Sequence, residues 1–237
     1  MLQVSGFTKK GRKRSHNEDA FLINGHRVSR SESHVFETDI KDRASPLLMA
    51  VADGLGGHAG GEIASGIAVE TLSAVFIQDG TSFDVRAASI EAHRKICRSA
   101  DRQRDLHGMG STIAGVFIQE NEATIFNVGD SRAYHLHDEN IKQLSVDDVT
   151  SFGGKLTQCL GTELTPDPVP HVLQVDLRPG DGFILVSDGI SDVLSNSDFL
   201  ELWVSAGAGN LADGIGNRAA RQNSTDDTTA VVLKYNC

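Results

Sequence analysis

LLMAVADGLGGHAGGE, residues 47–62, runs six apolar residues together, ends them on Asp53 and follows with five glycines around His58. An apolar run without alternation that stops this early is the pattern of a strand buried on both faces. The carboxylate at its end is either a turn former keeping its charge out of the core or a ligand presented at a strand terminus. The rest of the chain has to decide between the two.

Working outward, further strand-like runs stand at AFLI (20–23), STIAGVFI (111–118), ATIFNV (123–128), RAYHLH (132–137), VLQVDL (172–177), FILVS (183–187) and TAVVLKY (229–235). The spacing of Ile63, Ile67, Val69, Leu72, Val75 and Phe76 predicts a helix from Glu62 to about Ile77, and Val85, Ala88, Ile90 and Ile96 predict another over about 83–104. Two more are expected over 197–206 and 210–223, the first capped by Ser195 or Asn196. Strands, two helices, strands again and then helices break the regular alternation of a doubly wound parallel sheet. The expected class is α+β, antiparallel sheets covered by helices. The polar segment 25–46 reads as an exposed connection and 145–170 as a loop bordering a site. No repeat or low-complexity linker divides the chain, so one domain over residues 1–237 is expected.

The 32 acidic residues against 22 lysines and arginines leave a formal charge of −10. That balance disfavours nonspecific attraction to nucleic acid or an anionic membrane and suits a divalent cation. Cys97, Cys159 and Cys237 form no CxxC pair, as expected of reduced thiols. With no apolar leader and no run of about 18 apolar residues, the chain reads as cytoplasmic.

Acids recur at the edges of the apolar runs. RSHNEDA supplies Arg14, Glu18 and Asp19 before AFLI, NVGDSRA places Asp130 in a turn between strands, LVSDGISD supplies Asp188 and Asp192, and STDDTTAVVL supplies Asp226 and Asp227. Any one of them alone is a turn-forming or capping residue. Three of the flanking runs, LLMAVA, FILVS and TAVVL, are those of central strands, whose ends lie close together. Carboxylates gathered there repel one another and need protons or cations. Hard oxygen donors without clustered Cys or His select Mg²⁺ or Mn²⁺. On that reading Asp53 is a metal ligand and the glycines let the Gly54 carbonyl approach. A phosphate-loop reading of the glycines fails for want of the Lys-Ser/Thr pair.

Taken in order, RSHNEDA, VADGLGGHAGGE, GSTIAGVFI, NVGDSRAYHL, LTQCLGT, FILVSDGISD and DDTTAVVL resemble the metal-dependent Ser/Thr protein phosphatases of type 2C in their bacterial form, over essentially the whole chain. The resemblance implies a central sandwich of two antiparallel sheets flanked by helices on both sides, four layers in all, with a two-metal site at one end. By position it makes Asp53 the bridging carboxylate beside the Gly54 carbonyl. Glu18 (through water), Asp19, Asp188 and Asp227 complete the centre, with Asp227 chosen over Asp226 by register. Asp130 and Asp192 match a third, weaker metal position, Arg14 the phosphate-binding arginine and His58 the general acid.

The implied activity is hydrolysis of phosphothreonine or phosphoserine in proteins by attack of a metal-activated water. The implied setting is a monomer opposing a bacterial Ser/Thr kinase, kinases controlling type VI secretion among them. The chemistry is coherent by itself. Two cations about 4 Å apart can lower the pKa of a shared water and neutralise phosphoryl oxygens. A guanidinium can grip two phosphate oxygens, and a histidine titrates where a departing alkoxide needs its proton. A docking module would be expected to lose ligand acids, and a structural cation-binding protein would leave Arg14 and His58 without a purpose. The stretch from Tyr134 to Lys155 is shorter than the flap usual in that family, which sets substrate selection and third-metal affinity apart from the analogy.

Overall fold

The computed structural model describes residues 1–42, 44–56, 60–152, 154–162, 167–205 and 211–236. Among these the chain runs β1 (Leu2–Lys9), β2 (Asp19–Ile23), β3 (His26–Ser29), β4 (Ser33–Ile40), β5 (Leu47–Leu55), α1 (Gly61–Asp79), α2 (Val85–Arg102), β6 (Gly110–Ser111), β7 (Ile113–Gln119), β8 (Glu122–Val128), β9 (Arg132–His137), β10 (Asn140–Gln143), β11 (His171–Asp176), β12 (Gly182–Val186), α3 (Asp188–Ser191), α4 (Asn196–Ser205), α5 (Leu211–Arg221) and β13 (Thr228–Tyr235). One sheet has the order β10-β9-β12-β13-β1-β4 and the other β11-β8-β7-β5-β2-β3, with β6 added beside β5. Neighbouring strands pair antiparallel.

Side-chain parity explains the layers. Along β5, Leu47, Met49 and Val51 enter the core between the sheets, while Leu48, Ala50 and Ala52 pack beneath α1 and α2. Along β12, Phe183 and Leu185 face the other sheet, while Ile184 and Val186 meet Phe199 and Leu211 of α4 and α5. Strands with an apolar residue at every position are therefore those covered on both faces, and the result is four layers: helices, sheet, sheet, helices. Each fully buried Leu, Ile or Phe in these cores contributes on the order of 2 kcal/mol.

The expected helices form within a few residues of their predicted ends. Ser195 is the cap of α4: its Oγ accepts the Asp198 N–H at 3.3 Å, and Asp198 Oδ2 accepts the Ser195 N–H at 3.0 Å. Three expectations are corrected. Segment 25–46 is more than a connection, because it holds β3 and β4, and β4 pairs with β1 along its whole length. β1 itself carries no strand signal, since Ser5, Gly6 and Thr8 interrupt its apolar pattern; all three are nonetheless buried between β13 and β4. Finally, β8 and β9 belong to different sheets, so the turn bearing Asp130 is a crossing between layers and not a hairpin. No helix among the described residues is long and apolar enough to cross a membrane.

Candidate metal centre

The same parity aims the acids. Asp53 continues the odd positions of β5, and Asp19 shares parity with Phe21 and Ile23, so both face the gap between the sheets; their register pairs them directly. From the opposite sheet, Ser187 continues the inward positions of β12. Its Oγ donates to Asp19 Oδ2 at 2.7 Å and accepts the Thr229 N–H at 3.0 Å, bridging the sandwich. The other oxygen, Asp19 Oδ1, is buried with no hydrogen-bond partner. An orphan carboxylate oxygen in so dry a place is costly unless a proton or a cation meets it.

Arg14, Glu18, Asp53, Gly54, Thr112, Asp130 and Asp188 line one cleft of about 190 Å³ at this end, with Leu156 of the 145–170 segment on its wall. That segment borders the site, as expected. A larger hollow of about 500 Å³ beside Cys97 and His107 adjoins the cleft at Leu55 and has Asp101 as its only carboxylate among the described lining residues, so donor chemistry rather than size marks the site. Thr112 holds the floor together: Asp53 N donates to its Oγ1 at 3.1 Å, its own N–H donates to the Asp53 carbonyl at 2.8 Å, and its hydroxyl bonds Ser131 Oγ at 2.7 Å beside Asp130. Gly54 is required by close packing. A Cβ there would stand 2.1 Å from the Gly61 carbonyl oxygen and 2.6 Å from that of Glu18. A Cβ on Gly61 would in turn meet Glu18 Oε1 at 2.7 Å and the Gly54 carbonyl oxygen at 2.9 Å. Two oxygen donors thus converge on one point at the start of α1.

Burial is the first cause that raises the pKa of Asp19, Asp53, Asp188, Asp227 and Glu18, and mutual repulsion adds to it. The charges of Asp19 and then Asp188 add to burial in raising Asp53. Asp130 is pushed up to about 6 by burial and then by Asp188. Among the described residues no three His, Cys, Asp or Glu side chains close into a finished metal cage. The donors suit a cation that keeps much of its own water and takes only a few protein oxygens, as Mg²⁺ does. The orphan Asp19 Oδ1, the repulsion that Asp19 and Asp188 exert on Asp53, and the paired oxygens of Glu18 and Gly54 all fit such an ion.

Asp192 is exposed at the end of α3, off the lining of the cleft, yet its charge reaches both Asp130 and Asp188. His58 lies outside the described residues. Asp227 is 3% exposed, and both its oxygens are taken by backbone donors, Oδ1 by Gly11 N at 2.7 Å and Oδ2 by Glu18 N at 2.8 Å. Asp226 is paired with Arg14, which lines the cleft. Its two oxygens accept Arg14 Nε at 2.5 Å and Nη2 at 2.7 Å, and its charge reaches Asp188. Accepting one N–H leaves each Asp227 oxygen a further lone pair for a cation, and its charge reaches Asp19, so the hydrogen bonding is compatible with the register choice of Asp227 as ligand. Arg14 gives its third contact, Nη1, to Glu18 Oε2 at 3.2 Å, and these acids hold the guanidinium firmly protonated. Ser187, Thr112 and Ser131 were not picked out from sequence, because a buried hydroxyl has no signature apart from the partners folding brings to it.

The profile of the protein phosphatase 2C family matches residues 36–220. The serine/threonine protein phosphatase PstP of Mycobacterium tuberculosis is 31% identical over 80% of this chain, which spans 40% of the length of that relative. The serine/threonine phosphatase stp of Listeria innocua is 29% identical over 97% of this chain and 94% of its own. A crystal structure of the PstP catalytic domain in complex with two manganese ions superposes with a TM-score of 0.77 and 26% identity, covering 100% of both chains. With the fold, the order of the motifs and the geometry of the acids in agreement, the chain belongs to the protein phosphatase 2C family.

Proposed function

We propose that this chain is a metal-dependent phosphoprotein phosphatase that hydrolyses phosphothreonine and phosphoserine side chains, acting as one monomeric catalytic domain in the bacterial cytoplasm. The observation that carries the reading is the facing pair Asp19 and Asp53 at the end of the sandwich, the first with an orphan buried oxygen and the second within reach of the Asp188 charge. Asp19, Asp53, Asp188, Glu18 and the Gly54 carbonyl are the groups that would hold Mg²⁺ or Mn²⁺. Asp227, chosen by register, would join them while the Gly11 and Glu18 N–H groups hold it in place, and Asp226 orients Arg14. When bound, such ions supply Lewis acidity toward water and phosphoryl oxygens.

The protein's own groups do the rest. Arg14 is about 41% exposed, and its fork can exchange the Asp226 carboxylate for two oxygens of a phosphate, a like-for-like swap of bidentate anions. Thr112 fixes the Asp53 backbone and Ser187 holds the Asp19 carboxylate, so the floor of the cleft is set before a cation arrives. His58 is assigned, by its place in the sequence, to protonate the departing alkoxide. Asp130 and Asp192 are assigned to a third, weaker ion.

Hydrolysis of a phosphothreonine peptide with Mn²⁺ and again with chelator tests the reading. Turnover with the ion and none without it is expected; equal background rates in both overturn it. Comparing the phosphoproteome of a deletion strain with its parent identifies the opposing Ser/Thr kinase, and shows whether that kinase governs type VI secretion.

A further inference from the structure

On the outer edge of the second sheet, β3 and the first turns of α1 enclose a hollow of about 420 Å³. Arg27, Ser29 and Arg30 form one wall, and Gly66, Ile67 and Glu70 the other. Gly66 keeps it open, since a Cβ there would already stand 3.6 Å from Ser29 Oγ and a longer side chain would reach into the space. Arg27 and Arg30 are exposed, and neither enters an ion pair or hydrogen bond among the described residues. Arg30 has φ of 54°, in the left-handed region that favours glycine or asparagine, so this arginine is held against the preference of its own backbone.

On a chain with a formal charge of −10, two unpaired guanidiniums converging on a concave wall attract an anion. Glu70 opposite them offsets part of that charge, which favours a dianion able to engage both forks over a single carboxylate. The hollow is coupled to the metal cleft by two short contacts. Ser65, next to Gly66, donates its Oγ to the Glu18 carbonyl at 2.6 Å, and Asn17 Nδ2 donates to the Ser31 carbonyl, next to Arg30, at 2.8 Å. An extended peptide advances about 3.3–3.6 Å per residue, so the number of residues between two phosphates sets how far apart they can sit.

We propose that this hollow binds a second phosphorylated side chain of a peptide whose first is seated in the metal cleft, so that the protein favours doubly phosphorylated substrates. The proposal rests on the phosphatase reading, and its test keeps the two apart. Peptides carrying a non-hydrolysable phosphonate analogue of phosphothreonine alone, or with a second such analogue of phosphoserine two to six residues away, are titrated into the Mn²⁺-loaded protein by calorimetry, so that the first group can seat in the cleft without turnover. At the best spacing the second phosphate should tighten binding about tenfold, the gain of one well-made charge-assisted contact. The Arg27→Ala/Arg30→Ala double variant should lose that gain, Glu70→Gln should enlarge it, and both should hydrolyse p-nitrophenyl phosphate with Mn²⁺ within about twofold of the parent.

A gain at no spacing, a gain that survives the double variant, or an equal weakening of singly and doubly phosphorylated peptides overturns the proposal. So does inorganic phosphate or a short single-stranded oligonucleotide that displaces the doubly phosphorylated peptide at its own concentration. Absence of turnover with Mn²⁺ on every substrate would instead sink the phosphatase reading and leave calorimetry to decide this one.

Discussion

Asp130→Asn should stabilise the cation-free protein at neutral pH. The Asp130 carboxyl titrates at about 6 against 3.8 for an unperturbed aspartate, because burial and then Asp188 disfavour its charge. That difference is worth about 3 kcal/mol at one decade per 1.36 kcal/mol, and since the side chain is partly open to solvent, about 1.5 kcal/mol is the working figure. Below pH 4 the group is protonated in both states and contributes nothing. Between 4 and 6 the unfolded chain releases its proton while the folded one keeps it, so folding stability falls as pH rises through this window and stays low above it.

Asparagine cannot ionise and escapes that loss. Urea unfolding in chelator, at pH steps from 4 to 7.5, should show parent and variant nearly equal at pH 4 and the variant ahead by about 1–2 kcal/mol at pH 7. Taking the difference removes the parallel contributions of Asp19, Asp53 and Asp188. Saturating Mn²⁺ should narrow or reverse the gap, because the ion binds only the folded state and the variant has lost a donor. Parallel curves, or a variant less stable than the parent at pH 7 in chelator, would refute the electrostatic account of the cleft.

Ser187→Ala strips Asp19 of its bridging hydroxyl and leaves the buried Thr229 N–H unpaired, at a cost of about 1–3 kcal/mol in chelator denaturation. Gly54→Ala places a methyl 2.1 Å from the Gly61 carbonyl oxygen. A loss of about 3 kcal/mol, or about 6–12 °C in Tm, is expected by calorimetric scanning, along with loss of Mn²⁺-dependent hydrolysis. Asp226→Ala, at a half-exposed site, should change stability by less than about 1 kcal/mol and leave Mn²⁺-dependent turnover measurable. Asp227→Ala, which orphans the Gly11 and Glu18 N–H groups, should cost about 2–4 kcal/mol and abolish that turnover; the reverse ranking in paired unfolding and activity assays would take the ligand role from Asp227. A hundredfold excess of Mn²⁺ over its Kd should raise stability by about 2.7 kcal/mol relative to chelator, and an unchanged melting curve would mean that no ion is taken up.

The amino-acid order by itself determined the strands that hydrophobicity alone can write. Doubly covered runs such as LLMAVA and FILV need apolar residues at every position, and amphipathic helices need them on one face, so both are visible without coordinates. It also placed Asp53 and Asp188 at the ends of such runs, because charge cannot continue into a dry layer. β1 and β4 were hidden, as one carries small polar residues that only close packing buries and the other is a half-exposed edge whose partner is distant in the chain. The tertiary structure alone decided that Asp227 is held by two backbone donors while its neighbour Asp226 pairs with Arg14. It alone also carried the Asp130 turn from one sheet to the other and set Ser187 against Asp19 from the opposite layer. These are contacts between residues up to about two hundred positions apart, and short-range patterning has no term for a hydrogen bond that exists only after two sheets have met.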